Sequence, residues 1–241
     1  MLTIRDKIRL RAKDTEFNSP DKLIRFAISS KILKNPFTDC DRENKCIFIH
    51  IPKSAGKSVR RALFATESYH IPAVRYQAAD PVCFEAYFKF SFVRNPWHRC
   101  LSAYEYLKKR CSSDMSFPDH RWAASNLTNV NSFSDFLVSL ENPNIRKSIK
   151  RYIHFRDQID WISSPGKKRK ILVDFVGRYE EISKDYTEIC RTLGLTVHPP
   201  LPPGNSKSHD QDYRRIYTSQ MVDLVQDIYR TDIETFGYEF E

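Results

Sequence analysis

A short basic loop, residues 53–58, carries the side chains best suited to hold a phosphorylated ligand. It follows an apolar run, Cys46 to Ile51, that predicts a buried strand, and a helix-like segment begins at Val59. A tight loop between a strand and a helix turns backbone N–H groups and the positive end of the helix dipole toward an anion. Ammonium and hydroxyl donors come from Lys53, Ser54, Lys57 and Ser58, with Ala55 and Gly56 between them. We therefore predict that this loop binds a phosphate group.

A second group of polar residues follows the aromatic run Tyr87 to Val93, whose alternation predicts another strand. Arg94 stands where this strand ends, and Ser102 lies in the helix predicted to follow. An arginine in such a loop can grip a phosphate through two N–H groups, and a helical serine hydroxyl can close the other side. Two anion pockets at one sheet edge would fit a nucleoside that carries phosphates at both ends.

The segment Gly56-Lys57-Ser58 also matches the end of the Walker A pattern of ATP- and GTP-binding loops. That pattern requires glycine where this chain has Ile51, and Pro52 is unusual inside such a loop. Asp174 follows an apolar residue but lacks the surroundings of a magnesium-binding aspartate. A P-loop kinase or NTPase is therefore kept as an alternative.

Strands that alternate with helices predict a single α/β domain, with a mostly parallel central sheet flanked by helices. Residues 1–44 form a basic lead-in, and residues 45–241 form the domain. A third apolar run, 171–176, predicts a buried strand that Gly177 ends. Further helices are predicted over three segments: 132–140, 180–193, and 213–233 as one continuous apolar stripe.

The charge and the cysteine content of the chain favour some classes of binding partner over others. The net charge of +9 and the pI of about 9.2 favour an anionic partner. A basic nucleic-acid-binding module is an alternative, but the basic residues are dispersed without a recognition-helix or aromatic RNA-binding pattern, so we expect no nucleic acid. The six cysteines are scattered without a C-x-x-C pair, which predicts free thiols and no zinc site.

Both loop motifs resemble those of sulfotransferases. Ile49-His-Ile-Pro-Lys-Ser-Ala-Gly56 is similar to their 5′-phosphosulfate loop, and Phe92-Val-Arg-Asn-Pro-Trp97 with Ser102 is similar to their 3′-phosphate motif. The likeness is to the carbohydrate O-sulfotransferases that include the chondroitin and heparan uronyl enzymes and bacterial relatives. It covers about residues 46–240 and continues in segments 173–180, 201–205 and 229–238.

Three positions depart from that pattern. Ser54 stands where the family usually has threonine, Lys57 where it has a small residue or threonine, and His98 where aspartate is common. The change at Ser54 keeps a hydroxyl group, whereas Lys57 adds a cation that could face either the phosphate or the acceptor.

The resemblance implies a P-loop-like sulfotransferase fold and transfer of a sulfuryl group from 3′-phosphoadenosine 5′-phosphosulfate (PAPS) to a carbohydrate hydroxyl, with no metal required. In the implied roles, Lys53 stabilises the leaving group within the 53–58 donor loop, and Arg94 and Ser102 bind the 3′-phosphate. His70 is the expected base, because it lies between the two motifs, where related enzymes carry a catalytic histidine.

The acceptor and the cellular location of the protein can be predicted only in general terms. His154, Arg156 and Gln158 are candidates to line a site for a polysaccharide, glycolipid or lipid-linked glycan. No apolar segment reaches the ~20 residues of a membrane span. We expect a cytoplasmic enzyme whose basic N-terminal segment can contact the inner membrane surface, or a Golgi-lumen enzyme if the chain is a truncated eukaryotic one; the oligomeric state is open.

Overall fold

The structure is a computed structural model that describes residues 21–30, 32–67, 69–111, 115–166, 168–196, 199–201 and 212–240. These residues divide into two compact units. The strand unit comprises the described residues within 21–94 and 158–201, and the helical unit those within 95–157 and 212–240. Every candidate residue of the donor loop belongs to the strand unit.

The strand unit contains the sheet and the helices that pack on it. In chain order its elements are α1 (Asp21–Ser29), α2 (Asp39–Glu43), β1 (Cys46–Ile49), α3 (Gly56–Phe64), α4 (Ala73–Ala79), α5 (Pro81–Ala86) and β2 (Phe88–Val93). The helical unit then supplies α6 (Pro96–Lys108), α7 (Pro118–Leu127), α8 (Phe133–Ser139) and α9 (Pro143–Lys150). The chain continues with α10 (Ile159–Ile162), β3 (Phe175–Arg178), a 3-10 turn (Tyr179–Glu181) and α11 (Ile182–Thr192) in the strand unit, then a second 3-10 turn (Tyr213–Ile216), α12 (Ser219–Ile228) and α13 (Arg230–Phe236) in the helical unit.

Within the described residues the sheet has the order β1-β2-β3, and both pairings are parallel. The register places Phe90 of β2 between Phe48 of β1 and Phe175 of β3. The aromatic rings of Phe48 and Phe90 stack at 5.0 Å inside a core that also takes in Val59 of α3 and Ile189 of α11. Because the strands are parallel, the ends of β1 and β2 lie at one sheet edge, which is the predicted place for both loop motifs. The predicted α/β class with a parallel sheet is confirmed, and it is consistent with a sulfotransferase fold.

The third strand differs from its prediction. The apolar run 171–176 does not form one strand, because Ile171 makes an isolated antiparallel bridge with Ser163 and β3 begins only at Phe175. Gly177 lies inside β3 instead of ending it. A Cβ atom at Gly177 would come within 2.6 Å of the Phe92 ring, so the strand approaches β2 closely only because that atom is missing.

The C-terminal helix prediction is also wrong in its continuity. The segment 213–233 is divided into a 3-10 turn and two α-helices. The Thr218 side chain accepts a hydrogen bond from the Met221 N–H and so begins α12 at a cap within the apolar stripe. Tyr229 has φ −115° and ψ 23°, which interrupts the helix between α12 and α13. Apolar periodicity predicted the burial of Met221 and Tyr229 correctly but not the exposure of Ile216, and it gives no sign of such interruptions.

Two local predictions are confirmed. Ser132 caps α8 in a capping box with Asp135, as its sequence spacing indicates. The six cysteines, all in described ranges, are free thiols. Burial raises the pKa of the Cys46 and Cys100 thiols to about 12, which keeps both groups protonated and unreactive at neutral pH.

Part of the lead-in is packed onto the strand unit. Asp41 of α2 is buried, and its carboxylate lies 2.8 Å from the Arg60 guanidinium of α3. Arg60 also donates to the hydroxyl of Thr38, which caps α2. This buried pair joins α2 to the helix that follows the loop after β1. Among the described helices, none is long and apolar enough to cross a membrane.

Candidate functional site

The backbone of the loop after β1 takes an unusual path. Lys53 has φ +72° and Ala55 has φ +60°, so two residues with side chains adopt the left-handed conformation, at a cost of about 1–3 kcal/mol each. Ala55 is the residue that precedes α3 at its N-cap position, and its methyl side chain offers no acceptor to the first turn. The Ser58 N–H donates to the Ala55 carbonyl oxygen at 3.0 Å. The N–H groups of Gly56 and Lys57 come before it in the first turn, and an anion is the partner that the helix dipole favours there.

A glycine is required at the start of α3. A Cβ atom at Gly56 would lie 1.7 Å from Cδ2 of the His50 ring, which is far inside contact distance. The His50 ring is buried and lies between the rings of Phe48, at 5.9 Å, and His70, at 4.2 Å. The loop can fold back over β1 because Gly56 leaves the space that this ring occupies.

Gln158 joins the two predicted phosphate motifs. Its Oε1 atom accepts from the Arg94 N–H at 2.9 Å, and its Nε2 atom donates to the Arg94 carbonyl oxygen at 2.8 Å. The hydroxyl of Ser54 donates to the same Oε1 atom at 3.3 Å. Gln158 is fully buried, and Ser54 is nearly so. The amide therefore connects the loop after β1 to the residue that follows β2.

Arg94 is held in a second way. Its Nη1 atom donates to the carbonyl oxygen of Lys53 at 3.1 Å, and its guanidinium carbon lies 4.1 Å from the centre of the Tyr179 ring. A planar guanidinium that stacks on an aromatic face has a restricted orientation. The contact with Lys53 also supports a carbonyl group in the strained part of the loop.

His70 lies beside the loop in an orientation that defines its tautomer. Its Nδ1 atom is 3.0 Å from the carbonyl oxygen of His50, which can only accept a hydrogen bond. Nδ1 must therefore carry a proton, and in the neutral ring Nε2 is then the basic atom. The ring centre also lies 6.1 Å from that of Trp161. His70 is half-buried, so its basic atom belongs to a partly desolvated ring.

The remaining donor-loop residues differ in exposure. Lys57 is exposed, whereas Lys53 and Ser58 are half-buried. The Ser54 hydroxyl, predicted to donate to phosphate, donates to Gln158 instead. Gln158, which the sequence groups with acceptor residues, has its amide engaged by Arg94 and Ser54 inside the strand unit.

The other candidate residues belong to the helical unit. Ser102 is buried within α6. Nε2 of His154 lies 3.3 Å from Oδ2 of Asp119, which also accepts from the Tyr106 hydroxyl. The other carboxylate oxygen, Oδ1, accepts from the Tyr152 hydroxyl. This Asp119 cluster is buried or half-buried.

The electrostatics of the cluster favour an ionised carboxylate. Burial alone would raise the pKa of Asp119, but hydrogen bonds from His154, Tyr152 and Tyr106 together outweigh it and hold the pKa well below its usual range. Burial and the neighbouring carboxylate raise the pKa of Tyr106 to about 12, so its hydroxyl stays a donor. Arg156, the third acceptor candidate, is buried, and its carbonyl oxygen accepts from Arg99 at 2.9 Å.

Sequence reasoning missed two participants. The stacking of Tyr179 on Arg94 has no signal in the sequence, and the link from His50 to His70 runs through a backbone carbonyl group that any residue would provide. The spacing of Arg94 and Gln158 along the chain offers no periodic signal.

The described residues contain no group of three or more histidine, cysteine, aspartate or glutamate side chains arranged to hold a metal ion.

Comparison with known proteins adds a family. The model of a family described as "Sulfotransferase family" matches residues 36–239, which is most of the chain. A protein of Archaeoglobus fulgidus, described as uncharacterized, is 28% identical over 133 residues, which cover 55% of this chain and 88% of that protein. No solved structure matches.

Proposed function

Because the chain belongs to the sulfotransferase family, whose members transfer sulfate, we propose that it moves the sulfuryl group of PAPS to a carbohydrate hydroxyl. The observation that carries the donor assignment is the connection of the two loop motifs through Gln158, with Arg94 bonded to the Lys53 carbonyl. This connection holds the N-terminus of α3, which is suited to bind one anion, in a fixed position relative to Arg94, which is suited to bind a second. PAPS carries anionic groups on both its 3′ and 5′ sides, which a nucleoside triphosphate does not.

The 5′ side of the donor would bind at the start of α3. There the strained residues Lys53 and Ala55 turn the loop, and Gly56 lets the backbone lie against His50. The N–H groups of the first helical turn and the exposed ammonium of Lys57 supply positive partners. For the 3′-phosphate we propose Arg94, already oriented by Tyr179. The motif resemblance adds the hydroxyl of Ser102, which belongs to the helical unit.

Lys53 would stabilise the leaving group. Sulfuryl transfer leaves negative charge on the oxygen that bridged sulfur and the nucleotide phosphate, and an ammonium group stabilises this charge most where it develops. Lys53 is half-buried at the turn of the loop, which keeps its charge less screened than on an open surface. No metal ion is needed for this role, because lysine and arginine supply the positive charge.

His70 would remove the proton from the acceptor hydroxyl. The hydrogen bond from Nδ1 to the His50 carbonyl fixes the ring and leaves Nε2 as the basic atom. As the hydroxyl oxygen bonds to sulfur, its proton passes to Nε2 and the bond from sulfur to the bridging oxygen breaks. The carbohydrate nature of the acceptor rests on the motif resemblance and on the basic composition of the chain. His154 and Arg156 remain proposed acceptor residues, in the helical unit.

The first test is calorimetric titration with adenosine 3′,5′-bisphosphate, the product nucleotide of the donor, with ADP and Mg·ATP as controls. Binding of the bisphosphate alone is the expected result and would justify a screen of carbohydrate acceptors with labelled PAPS. Preference for Mg·ATP would contradict the proposal and return Gly56-Lys57-Ser58 to the triphosphate-loop alternative.

A further inference from the structure

We infer that Gln158 is a positioning residue that sets the geometry of both anion-binding motifs, and that its neutral amide is the property required. This inference rests on the proposed function for its ligand, but its structural part concerns only the strand unit. Gln158 lies outside the strands, at the N-cap position of α10, and its side chain makes no capping hydrogen bond there.

The amide acts in place of a neighbouring peptide group. Beyond Val93 the ladder of β2 ends, and the next peptide groups need new partners. The Gln158 side chain accepts from the N–H of Arg94 and donates to its carbonyl oxygen, at 2.9 and 2.8 Å. It therefore extends the pairing of β2 by one residue, which is the residue that presents the guanidinium.

The same oxygen atom also controls the loop after β1. Oε1 of Gln158 accepts from the Ser54 hydroxyl, and Arg94 in turn donates to the Lys53 carbonyl. Ser54 lies between the two left-handed residues, Lys53 and Ala55. A strained backbone persists only when its surroundings over-determine it, and these hydrogen bonds supply part of that restraint. Loss of the amide would therefore change the loop and the orientation of Arg94 together.

The partners define the chemistry that position 158 must offer. The site needs one acceptor for the Arg94 N–H and the Ser54 hydroxyl, and one donor for the Arg94 carbonyl oxygen. A protonated glutamic acid meets this requirement, because its carbonyl oxygen accepts and its O–H donates. An ionised glutamate does not, because a carboxylate oxygen would then face the Arg94 carbonyl oxygen with no proton between them. Methionine has nearly the same shape and offers neither group.

The experiment compares Gln158→Met and Gln158→Glu with the wild type, with Gln226→Met and Gln226→Glu as matched controls on the exposed face of α12. Adenosine 3′,5′-bisphosphate affinity is measured by calorimetry between about pH 5 and pH 10, a range that includes the pKa of about 8–9 that burial can give a glutamic acid. Each value is expressed relative to the wild type at the same pH, which removes the titration of the ligand.

We expect Gln158→Met to weaken binding by about tenfold to a hundredfold at every pH, because buried peptide groups lose their partners. Gln158→Glu should approach wild-type affinity in acid and lose affinity as the pH rises, reversibly in a single sample. Wild-type affinity in Gln158→Met, or a constant ratio for Gln158→Glu across the pH range, would overturn the inference, since a residue that only fills space would behave in that way.

A ligand-free measurement separates this inference from the proposed function. Amide hydrogen exchange in residues 51–58 should be faster in Gln158→Met than in the wild type and unchanged in Gln226→Met. If the wild type binds no bisphosphate, the proposed function fails while faster exchange still supports the positioning role. If the wild type binds the bisphosphate and exchange in the loop is unaltered by Gln158→Met, the positioning role fails alone.

Discussion

The Nη1 atom of Arg94 donates to the carbonyl oxygen of Lys53 over 3.1 Å, and this contact joins the ends of two neighbouring parallel strands. Lys53 has φ +72°, a conformation that costs free energy for any residue with a Cβ atom. A charged donor on its carbonyl group offsets part of that cost, since hydrogen bonds to charged groups contribute about 1.5–3 kcal/mol. The proposed leaving-group lysine and the proposed phosphate-binding arginine are thus held together by a direct hydrogen bond.

Removal of the Lys53 ammonium should abolish most of the transfer activity. In Lys53→Ala we expect the turnover number to fall by about 10²–10³-fold, as for the loss of one transition-state charge donor. The Lys53 carbonyl and its bond from Arg94 remain, so the fold and most of the bisphosphate affinity should be kept. Turnover with labelled PAPS is the measurement, with the exposed Lys147→Ala as control. Normal turnover by folded Lys53→Ala would remove the leaving-group assignment.

Replacement of His70 should separate binding from chemistry. Asparagine can present an N–H group near the place of Nδ1 and so keep the bond to the His50 carbonyl, but it offers no basic nitrogen. We expect His70→Asn to bind adenosine 3′,5′-bisphosphate like the wild type and to turn over about 10²–10⁴-fold more slowly. Single-turnover kinetics measure the chemical step, and His120→Asn is the matched control. Weaker bisphosphate binding with unchanged turnover would argue against a base.

The close approach of Gly56 to the His50 ring predicts that a second substitution, at His50, restores part of the stability lost in Gly56→Ala. In Gly56→Ala the new methyl group would meet the His50 ring, so the free energy of unfolding should fall by about 1–3 kcal/mol. The double variant Gly56→Ala with His50→Ala removes the clash and should recover part of the loss beyond additivity. Urea unfolding of both single variants and the double variant measures the coupling. Strict additivity would show that the loop moves away from the ring at little cost.

The Asp119 cluster predicts acid sensitivity in the helical unit. Hydrogen bonds from His154, Tyr152 and Tyr106 outweigh the effect of burial and lower the pKa of Asp119 in the folded state. Its contribution to stability is therefore present above the unfolded pKa of about 3.9 and is lost as the pH falls through the lower folded value. Asp119→Asn should lower the free energy of unfolding by about 1–3 kcal/mol at neutral pH, with a smaller difference in strong acid.

Denaturant unfolding at a series of pH values checks this, with the exposed Asp223→Asn as control. A difference between wild type and Asp119→Asn that does not shrink in acid would show that the lost interaction is not that of the ionised carboxylate.

The order of elements around residues 53–58 could be predicted from the residues of that segment alone. An apolar β-prone run, a basic loop and a helix start are local features, and local sterics place them as β1, loop and α3. The same holds for β2 and for the capped start of α8 at Ser132. The strained conformations of Lys53 and Ala55 could not be predicted, because residues with side chains adopt them only under restraint from distant parts of the chain.

The roles of single side chains were decided by tertiary structure. Ser54 and Gln158 are separated by 104 residues and Arg94 and Gln158 by 64, and nothing in their local sequence indicates that one amide serves both. Hydrogen bonds across such separations depend on parallel strand order and core packing, which bring distant peptide groups to one sheet edge. The sequence by itself determined which chemical groups are available for binding an anion. Only the tertiary structure decided which of these groups instead hold the backbone in place. The physical reason is that a buried polar group must form its hydrogen bonds within the protein.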